Sequence, residues 1–403
     1  MELTRKQEEG LKIAVDRYKN GYGYTVISGY AGTGKSTLIS FIISALDLDP
    51  DYDVAYIAYT GKASEVLRRK GCVNAMTAHK LLYHTRKTPS GGFVTVPKSE
   101  IGDFKVIVVD EVSMLPTKMW FQLLKHGIYV LACGDPGQLP PIARKDEEPL
   151  RVLDHPHVFL DEVMRQAQDS EIIRLSMDIR NHKPIEYFKG NEVMVIPRYE
   201  VNTGMYQWAD QILTATNAER FRINSTMRSI LGRGPQPEAG DKVISLSNHW
   251  DIFSDNGEAN LINGTIGYLT GDIQKMDVYY PINSYRKPFP NPVPILRAGF
   301  VSEVNETYLP LNIDYTALTT GKPYLSSQHE YDLYVAKRNP KRELPQEPLE
   351  FNYGYAITVH RAQGSEWDKI LVVEENFPYE EEEHTKWLYT AVTRSVSKLV
   401  LAR

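Results

Sequence analysis

Thr25-Val26-Ile27-Ser28-Gly29-Tyr30-Ala31-Gly32-Thr33-Gly34-Lys35-Ser36 decides the reading of this chain. From Gly29 onward it satisfies G-x-x-x-x-G-K-[ST]. The β-branched run Thr25–Ser28 reads as a strand, and the residues from Ser36 to Leu46 read as a helix. Strand, glycine-rich turn and helix start are the context that the motif requires. Glycines let the backbone curl until its N–H groups converge, and the helix N-terminus adds positive partial charge. Such a loop cradles phosphate. Gly29, Ala31, Gly32, Thr33, Gly34, Ser36 and Thr37 are the candidate contacts. Lys35 can reach β- and γ-phosphate oxygens, and the Ser36 hydroxyl is a candidate Mg²⁺ ligand.

Hydrolysis needs a second half, a carboxylate for the metal and a base for the attacking water. Val106-Ile107-Val108-Val109-Asp110-Glu111 supplies both. The apolar β-formers end in two acids, so the acids emerge at the carboxyl edge of the sheet, where ligands bind in such folds. Asp110 is assigned to Mg²⁺, directly or through water, and Glu111 to the water. Taken alone, the hexapeptide also reads as a strand with two solvated acids; the glycine loop outweighs that reading. The pair makes a nucleoside triphosphatase with ATP and Mg²⁺ as expected cofactors, and leaves open what the energy drives.

Composition sets limits. The 403 residues allow about two to four domains. With 42% hydrophobic residues there is enough apolar matter for packed cores and too much for a disordered chain. No run of about 18 apolar residues occurs, so no membrane span is expected. The opening Met1 to Gly10 lacks an apolar signal core. Cys72 and Cys133 are the only cysteines; they form no CxxC, which suits a reducing cytoplasm. The net charge of -5 weighs mildly against nucleic acid, although binding depends on local charge. Basic residues gather at Arg68–Lys70, at Arg86 and Lys87, at Arg220, Arg222, Arg228 and Arg233, and at Lys337, Arg338, Lys341 and Arg342. Each cluster singly also reads as a solvated face.

Thr25–Ser28, Val54–Ala58, Lys105–Val109 and Tyr129–Cys133 are short β-rich runs, mostly followed by helical stretches. The pattern returns at Ile212–Thr216, Ile370–Val373 and Leu399–Leu401. Apolar strands alternating with helices imply parallel sheets covered on both faces. Between Gly240 and Glu350 the texture changes. Pro281, Pro288, Pro290, Pro292 and Pro294 crowd together and helical periodicity is weak, as in a small inserted β-rich domain. At His84–Asp103, Ser90-Gly91-Gly92 before Phe93-Val94-Thr95-Val96 suggests a β-hairpin.

Further segments carry a family resemblance. In order they are Leu3-Thr4-Arg5-Lys6-Gln7, Ala58-Tyr59-Thr60-Gly61-Lys62-Ala63, Thr77-Ala78-His79-Lys80-Leu81-Leu82, Asp110-Glu111-Val112-Ser113-Met114 and Gly134-Asp135-Pro136-Gly137-Gln138-Leu139-Pro140. Val163-Met164-Arg165-Gln166, Tyr355 to Glu366 (YAITVHRAQGSE) and Leu388-Tyr389-Thr390-Ala391-Val392-Thr393-Arg394 follow. This series resembles superfamily one helicases, in particular the Dda and RecD-like branch, over nearly the whole chain apart from the two interruptions. The resemblance implies an α/β fold of two RecA-like parallel-sheet motor domains. A β-hairpin is inserted in the first, and a small β-rich, SH3-like domain in the second. The expected boundaries are 1–165 for the first motor domain, with the hairpin at 84–103, 166–245 with 350–403 for the second, and 246–349 for the inserted domain.

The resemblance also implies roles. Gln7 recognises adenine, Gln138 senses the γ-phosphate, and Glu366, near Gly364, touches the nucleotide sugar. Arg165 and Arg394 match arginine fingers reaching from the second domain. Their planar forks suit phosphate oxygens, and a cation there stabilises charge that develops during transfer. Either arginine alone reads equally as a surface ion pair. Thr60, Lys62, Thr77, His79, Thr358 and His360 match strand-binding positions. Hydroxyls and a lysine suit backbone phosphates, which carry no sequence information. A lone histidine more often has a structural place. Asn217, heading Thr216 to Arg222, adds a candidate DNA contact or else starts a helix with solvated arginines. The hairpin falls where relatives carry a strand-separating pin, so Phe93 or Lys87 would meet the duplex junction; an ornamental hairpin is the alternative.

The expected activity is that of an ATP-dependent DNA helicase, a DNA-dependent ATP hydrolase that moves 5′ to 3′ on single-stranded DNA and unwinds duplexes. Polarity and the preference for DNA over RNA come from resemblance alone. Single-stranded and forked duplex DNA are the expected partners of a monomeric motor in a bacterial or phage-infected cytoplasm. Replication, repair or recombination proteins are further candidates. One rival is the motor subunit of a RecBCD-type repair nuclease. The glutamine segment stands close to Met1, so no docking domain is expected, and no nuclease-type carboxylate cluster is read in the sequence. A second rival is an ATPase that translocates without unwinding, and a third, a small-molecule kinase, is disfavoured because such kinases need no second α/β domain with arginine and Thr-x-His segments.

Overall fold

Val54–Ala58 and Val106–Val109 are apolar strands in which every residue is buried. Strands of that kind need cover on both faces. In the computed structural model, which describes residues 3–87, 93–140, 150–164, 168–257, 260–282, 288–337 and 344–403, they lie inside a six-stranded sheet. Its order is Ala75–Thr77, Val54–Ala58, Val106–Val109, Tyr129–Gly134, Tyr24–Gly29, Val158–Leu160. All its pairs are parallel. Helix Lys35–Ala45 turns Leu38, Ile39, Ile42 and Ile43 into a core with Ile27, Val108, Leu131 and Leu160. Each such side chain contributes about 1.5–3 kcal/mol on burial. The sheet carries the phosphate loop and the acids Asp110 and Glu111 at the carboxyl ends of Tyr24–Gly29 and Val106–Val109, the two strands that flank Tyr129–Gly134.

A second six-stranded sheet runs Ala356–Thr358, Gln211–Thr214, Trp367–Val373, Ser395–Ala402, Val193–Ile196, Phe188–Lys189. Gln211–Thr214, Trp367–Val373, Ser395–Ala402 and Val193–Ile196 pair in parallel, while Phe188–Lys189 joins antiparallel at one edge. Helix Glu381–Val392 packs its buried Trp387, Leu388 and Tyr389 inward. Both sheets belong to one compact unit, made of Met1–Leu82, Lys98–Arg220 and Ile357–Arg403.

The second unit comprises Tyr83–Pro97 and Phe221–Ala356. Its main sheet is antiparallel, in the order Thr307–Asp314, Val293–Ser302, Ile266–Val278, Lys242–Ser245, Phe351–Tyr353. Tyr280, Phe289, Val293, Ile295, Leu325 and Leu333 form a separate apolar core. The sheet takes in Lys242–Ser245 and Phe351–Tyr353, which stand on either side of the 246–349 span. Both are short and mix apolar with polar residues, as strands elsewhere in the chain do, so composition does not mark them. The hairpin pairs Tyr83–Lys87 with Phe93–Pro97 and is shorter than the 84–103 span. Lys98 already belongs to the first unit, where its N–H donates to the Leu82 carbonyl at 2.8 Å. Among the described residues no helix is long and apolar enough to cross a membrane.

Candidate active site

The phosphate loop follows strand Tyr24–Gly29 and ends on helix Lys35–Ala45. Gly34 caps that helix at φ +76°, and Gly32 stands at φ +74°. Only glycine holds such angles without strain. A Cβ on Gly34 would also collide with Met164 Sδ and Gln7 Nε2. Thr33 Oγ1 donates to the Tyr30 carbonyl at 2.8 Å and fixes the curl. Lys35 Nζ donates to the carbonyls of Gly29 (2.7 Å) and Tyr30 (3.0 Å), so the ammonium sits within the loop. Tyr30, Gly32, Gly34, Lys35, Ser36, Thr37 and Met164 line a cavity of about 410 Å³. The Met164 N–H donates to the Gly32 carbonyl at 2.9 Å. Arg165, the next residue, lies outside the described residues.

The two acids differ. Desolvation first, and the Glu111 charge second, push the Asp110 carboxyl above its ordinary value, against Cys133 and Lys35. Asp110 Oδ1 accepts the Glu111 N–H (3.0 Å) and the Cys133 thiol (3.3 Å). Glu111 has φ 46° and ψ 53°, a left-handed conformation uncommon outside glycine. Its Oε1 lies 3.2 Å from Arg394 Nη1. Its Oε2 is buried and has no hydrogen-bond partner among the described residues. Arg394 is 6% exposed. Nε donates to the Thr390 carbonyl (3.2 Å) and Nη1 to that of Ser365 (3.4 Å). The guanidinium thus reaches the base candidate from the second sheet.

The Gly134–Pro140 segment is held from the second sheet as well. Asp135, 5% exposed, accepts the Gly137 N–H on Oδ1 (2.9 Å) and the Tyr389 hydroxyl on Oδ2 (2.7 Å). The same hydroxyl accepts the Ala31 N–H of the phosphate loop at 2.8 Å. Leu139 donates its N–H to Thr390 Oγ1 (2.8 Å) and accepts Gln363 Nε2 on its carbonyl (2.5 Å). Gln138 is half-buried between these anchors. On the outer side, the Arg180 guanidinium lies 3.8 Å above the Tyr30 ring. Asp135, Gln363 and Tyr389 lie inside the motif segments without an assigned role, and Arg180, at the end of helix Glu171–Arg180, carries no signal in the sequence.

Gln7 is fully buried. Its Oε1 accepts the Thr4 N–H (2.9 Å) in a capping box, and its Nε2 donates to the Thr33 carbonyl at 3.1 Å. Its amide braces the phosphate loop from behind. Gly364, at φ +73°, approaches the first sheet closely: a Cβ there would lie 3.2 Å from Thr60 Oγ1 and 3.4 Å from Glu111 Oε2. Lys62 Nζ sits 3.8 Å from the centre of a Trp367 ring. Glu366 pairs with Lys70 at 3.2 Å. Thr60 and Lys62 therefore meet Gly364–Trp367 beside Glu111. Thr77 Oγ1 accepts the Lys80 N–H at 3.2 Å. Burial pushes the His79 pKa down to about 4 and lowers that of His360. Thr358 is 8% exposed, and Asn217 starts helix Asn217–Ile230 at the surface. The Phe93 side chain falls outside the described residues.

Residues 2–192 match the AAA domain family, and residues 353–402 match the UvrD-like helicase C-terminal domain. The chain is 26% identical over 383 residues to the ATP-dependent RecD2 DNA helicase of Deinococcus radiodurans, covering 93% of this chain and 46% of that protein. It is 29% identical over 194 residues to the ATP-dependent DNA helicase dda of Enterobacteria phage T4, covering 45% of this chain and 43% of that one. The chain thus spans less than half the length of these curated relatives. In fold it is similar to a Bacteroides Pif1 helicase crystallised with ADP-AlF3 and single-stranded DNA. That likeness has a TM-score of 0.53 and 16% identity, over 100% of this chain and 93% of the other.

Proposed function

Since this chain belongs with the superfamily one helicases of the Dda and RecD-like branch, we propose that it is an ATP-driven motor that moves 5′ to 3′ along single-stranded DNA and unwinds duplexes. The observation that carries the reading is Arg394 Nη1 at 3.2 Å from Glu111 Oε1. A guanidinium from one sheet meets the water-activating acid of another, as a motor worked by a nucleotide cleft requires. The relatives' activity, ATP-dependent DNA helicase, supports the same reading.

Lys35 and the loop N–H groups bind the phosphates, Glu111 takes the proton of the attacking water, and Arg394, with Arg165, meets charge on the departing γ-phosphate. Gln138 senses that phosphate, while Gln7 supports the loop and with Glu366 borders the nucleoside. Ser36 and Asp110 would hold Mg²⁺. A hydroxyl and one carboxylate are hard oxygen donors that fit an ion taking its other ligands from phosphate and water. When bound, that ion neutralises charge on the β- and γ-phosphates. The division into motor domains at 1–165 and at 166–245 with 350–403, with 246–349 inserted, belongs to this proposal, as do the pin role of Phe93 and the strand contacts of Asn217 and Thr358. ATP turnover and strand displacement on tailed duplexes test it. A 5′-tailed duplex should unwind and a 3′-tailed one should not. ATP turnover on both without strand displacement would favour the translocase reading, and unwinding from the 3′ tail would overturn the polarity.

DNA contact has its own signature. Burial pushes the His79 pKa down to about 4 and lowers that of His360, so before the strand binds both favour the neutral ring, which offers phosphate an N–H donor rather than a charge. Lys62 brings a charge. Lys62→Ala should therefore reduce the slope of log affinity against log salt by about 0.7, one phosphate's share on a single strand. His79→Gln should weaken binding at every salt concentration and leave that slope alone. Anisotropy titrations of labelled oligo-dT read both, and a slope changed by His79→Gln would count against the neutral contact.

A further inference from the structure

Tyr389 stands where the phosphate loop, the Gln138 turn and the second sheet meet, and nothing above gives it a role. We propose that Tyr389 is a positioning residue that ties the rate of ATP turnover to strand engagement. The inference rests on the helicase reading and deepens it.

A phenol has one O–H to give and lone pairs to receive. Tyr389 uses both, toward Asp135 and from Ala31. The ring is 1% exposed, so water cannot take over either bond. Asp135 is a buried carboxylate and needs donors. Tyr389 and the Gly137 N–H supply them, and they fix the turn that carries Gln138. The Ala31 N–H belongs to a loop whose N–H groups face phosphate. A shift of Tyr389 therefore alters two things at once: a donor of the loop and the position of the γ-phosphate sensor.

The shift has a source. Thr390, beside Tyr389, takes the Leu139 N–H, and Gln363 binds the Leu139 carbonyl. Gln363 follows Thr358 and His360, candidate contacts for the strand. Just past the end of the helix that carries Tyr389, Arg394 meets Glu111. Movement of the 358–363 segment on DNA thus reaches the Gln138 turn through Gln363, and from that turn it reaches Thr390 and Tyr389, which bonds the phosphate loop. The Tyr389 ring packs against Gly137, where a Cβ would come within 3.1 Å of Cε1. Tyr389→Phe keeps that packing and removes only the two hydrogen bonds.

The test compares wild type, Tyr389→Phe, Asp135→Asn and the double variant of the full chain. ATP turnover with and without saturating oligo-dT, KM for ATP and thermal midpoint are measured for each. In Tyr389→Phe the ratio of stimulated to unstimulated turnover should fall at least about fivefold, the low end of coupling between sites. KM for ATP should stay within about twofold, which a general loosening of the site would not allow. The double variant should be no worse than the poorer single, since both cut one link. Asp135→Asn reads the same link with side-chain shape kept, should Tyr389→Phe fold poorly. A stimulated wild type with a Tyr389→Phe ratio within about twofold of it, or additive losses in the double variant, overturns this inference alone. A wild type indifferent to oligo-dT overturns the helicase reading and this inference with it.

Discussion

Glu111→Gln is expected to take up ATP normally and turn it over about 10²–10⁴-fold more slowly, the span that positioned acid–base groups contribute. Glutamine keeps the shape of glutamate and loses the basic oxygen. Glu111 is held at φ 46° and ψ 53°, a conformation that costs about 1–3 kcal/mol outside glycine and persists only where its surroundings over-determine it. Here strand Val106–Val109 runs into the Val112–Met114 turn, and Val112 is fully buried. The strained backbone aims the carboxylate so that Oε1 meets Arg394, while Oε2 is buried and has no hydrogen-bond partner among the described residues. The fold tolerates that backbone cost at the residue proposed as the base. Single-turnover hydrolysis and titration with a fluorescent ATP analogue separate chemistry from binding. If single-turnover hydrolysis by Glu111→Gln stayed within about threefold of wild type, or if its loss were matched by lost nucleotide affinity, Glu111 would not be the base.

What the sequence reveals depends on how far apart the cooperating residues lie. The phosphate loop is legible because one cradle needs its glycines, lysine and serine within a few consecutive residues. Val106–Glu111 is legible because strand and acids are contiguous. Ala75–Thr77 and Val158–Leu160, with only three residues each, are too short for periodicity to register. The links at Tyr389, Thr390 and Gln363 join residues more than 220 positions apart. No local pattern encodes such a pairing, so motif order points to their neighbourhood without naming the bonds. Gln7 shows the converse. Its segment was legible, yet the capping box and the bond to Thr33 describe a brace, which resemblance to an adenine-reading position does not disclose. In the inserted region, proline crowding locates the domain, while Lys242–Ser245 and Phe351–Tyr353 carry the ordinary composition of strands and hide its edges.

Arg394→Ala is expected to lower the rate of ATP hydrolysis by about 10³–10⁵-fold, the contribution of an arginine placed on a transferring phosphoryl group. Its ground state argues for that role. A guanidinium 6% exposed is costly to bury unless it is paired and hydrogen-bonded. Arg394 has the Thr390 and Ser365 carbonyls behind it and Glu111 in front. The two carbonyls set its direction, and the pairing with Glu111 leaves it beside the reacting atoms. Arg394→Lys keeps the charge and loses the fork that spans Thr390, Ser365 and Glu111 together, so it should recover little of the rate. Nucleotide affinity should change far less than the rate, because the charge that Arg394 meets grows only as the γ-phosphate departs. Single-turnover measurements with and without oligo-dT, beside nucleotide titrations, check each part. A rate within about tenfold of wild type for Arg394→Ala would remove the guanidinium from the reaction. A rate restored by Arg394→Lys would leave only a point charge, and the cleft would then close on something other than this arginine.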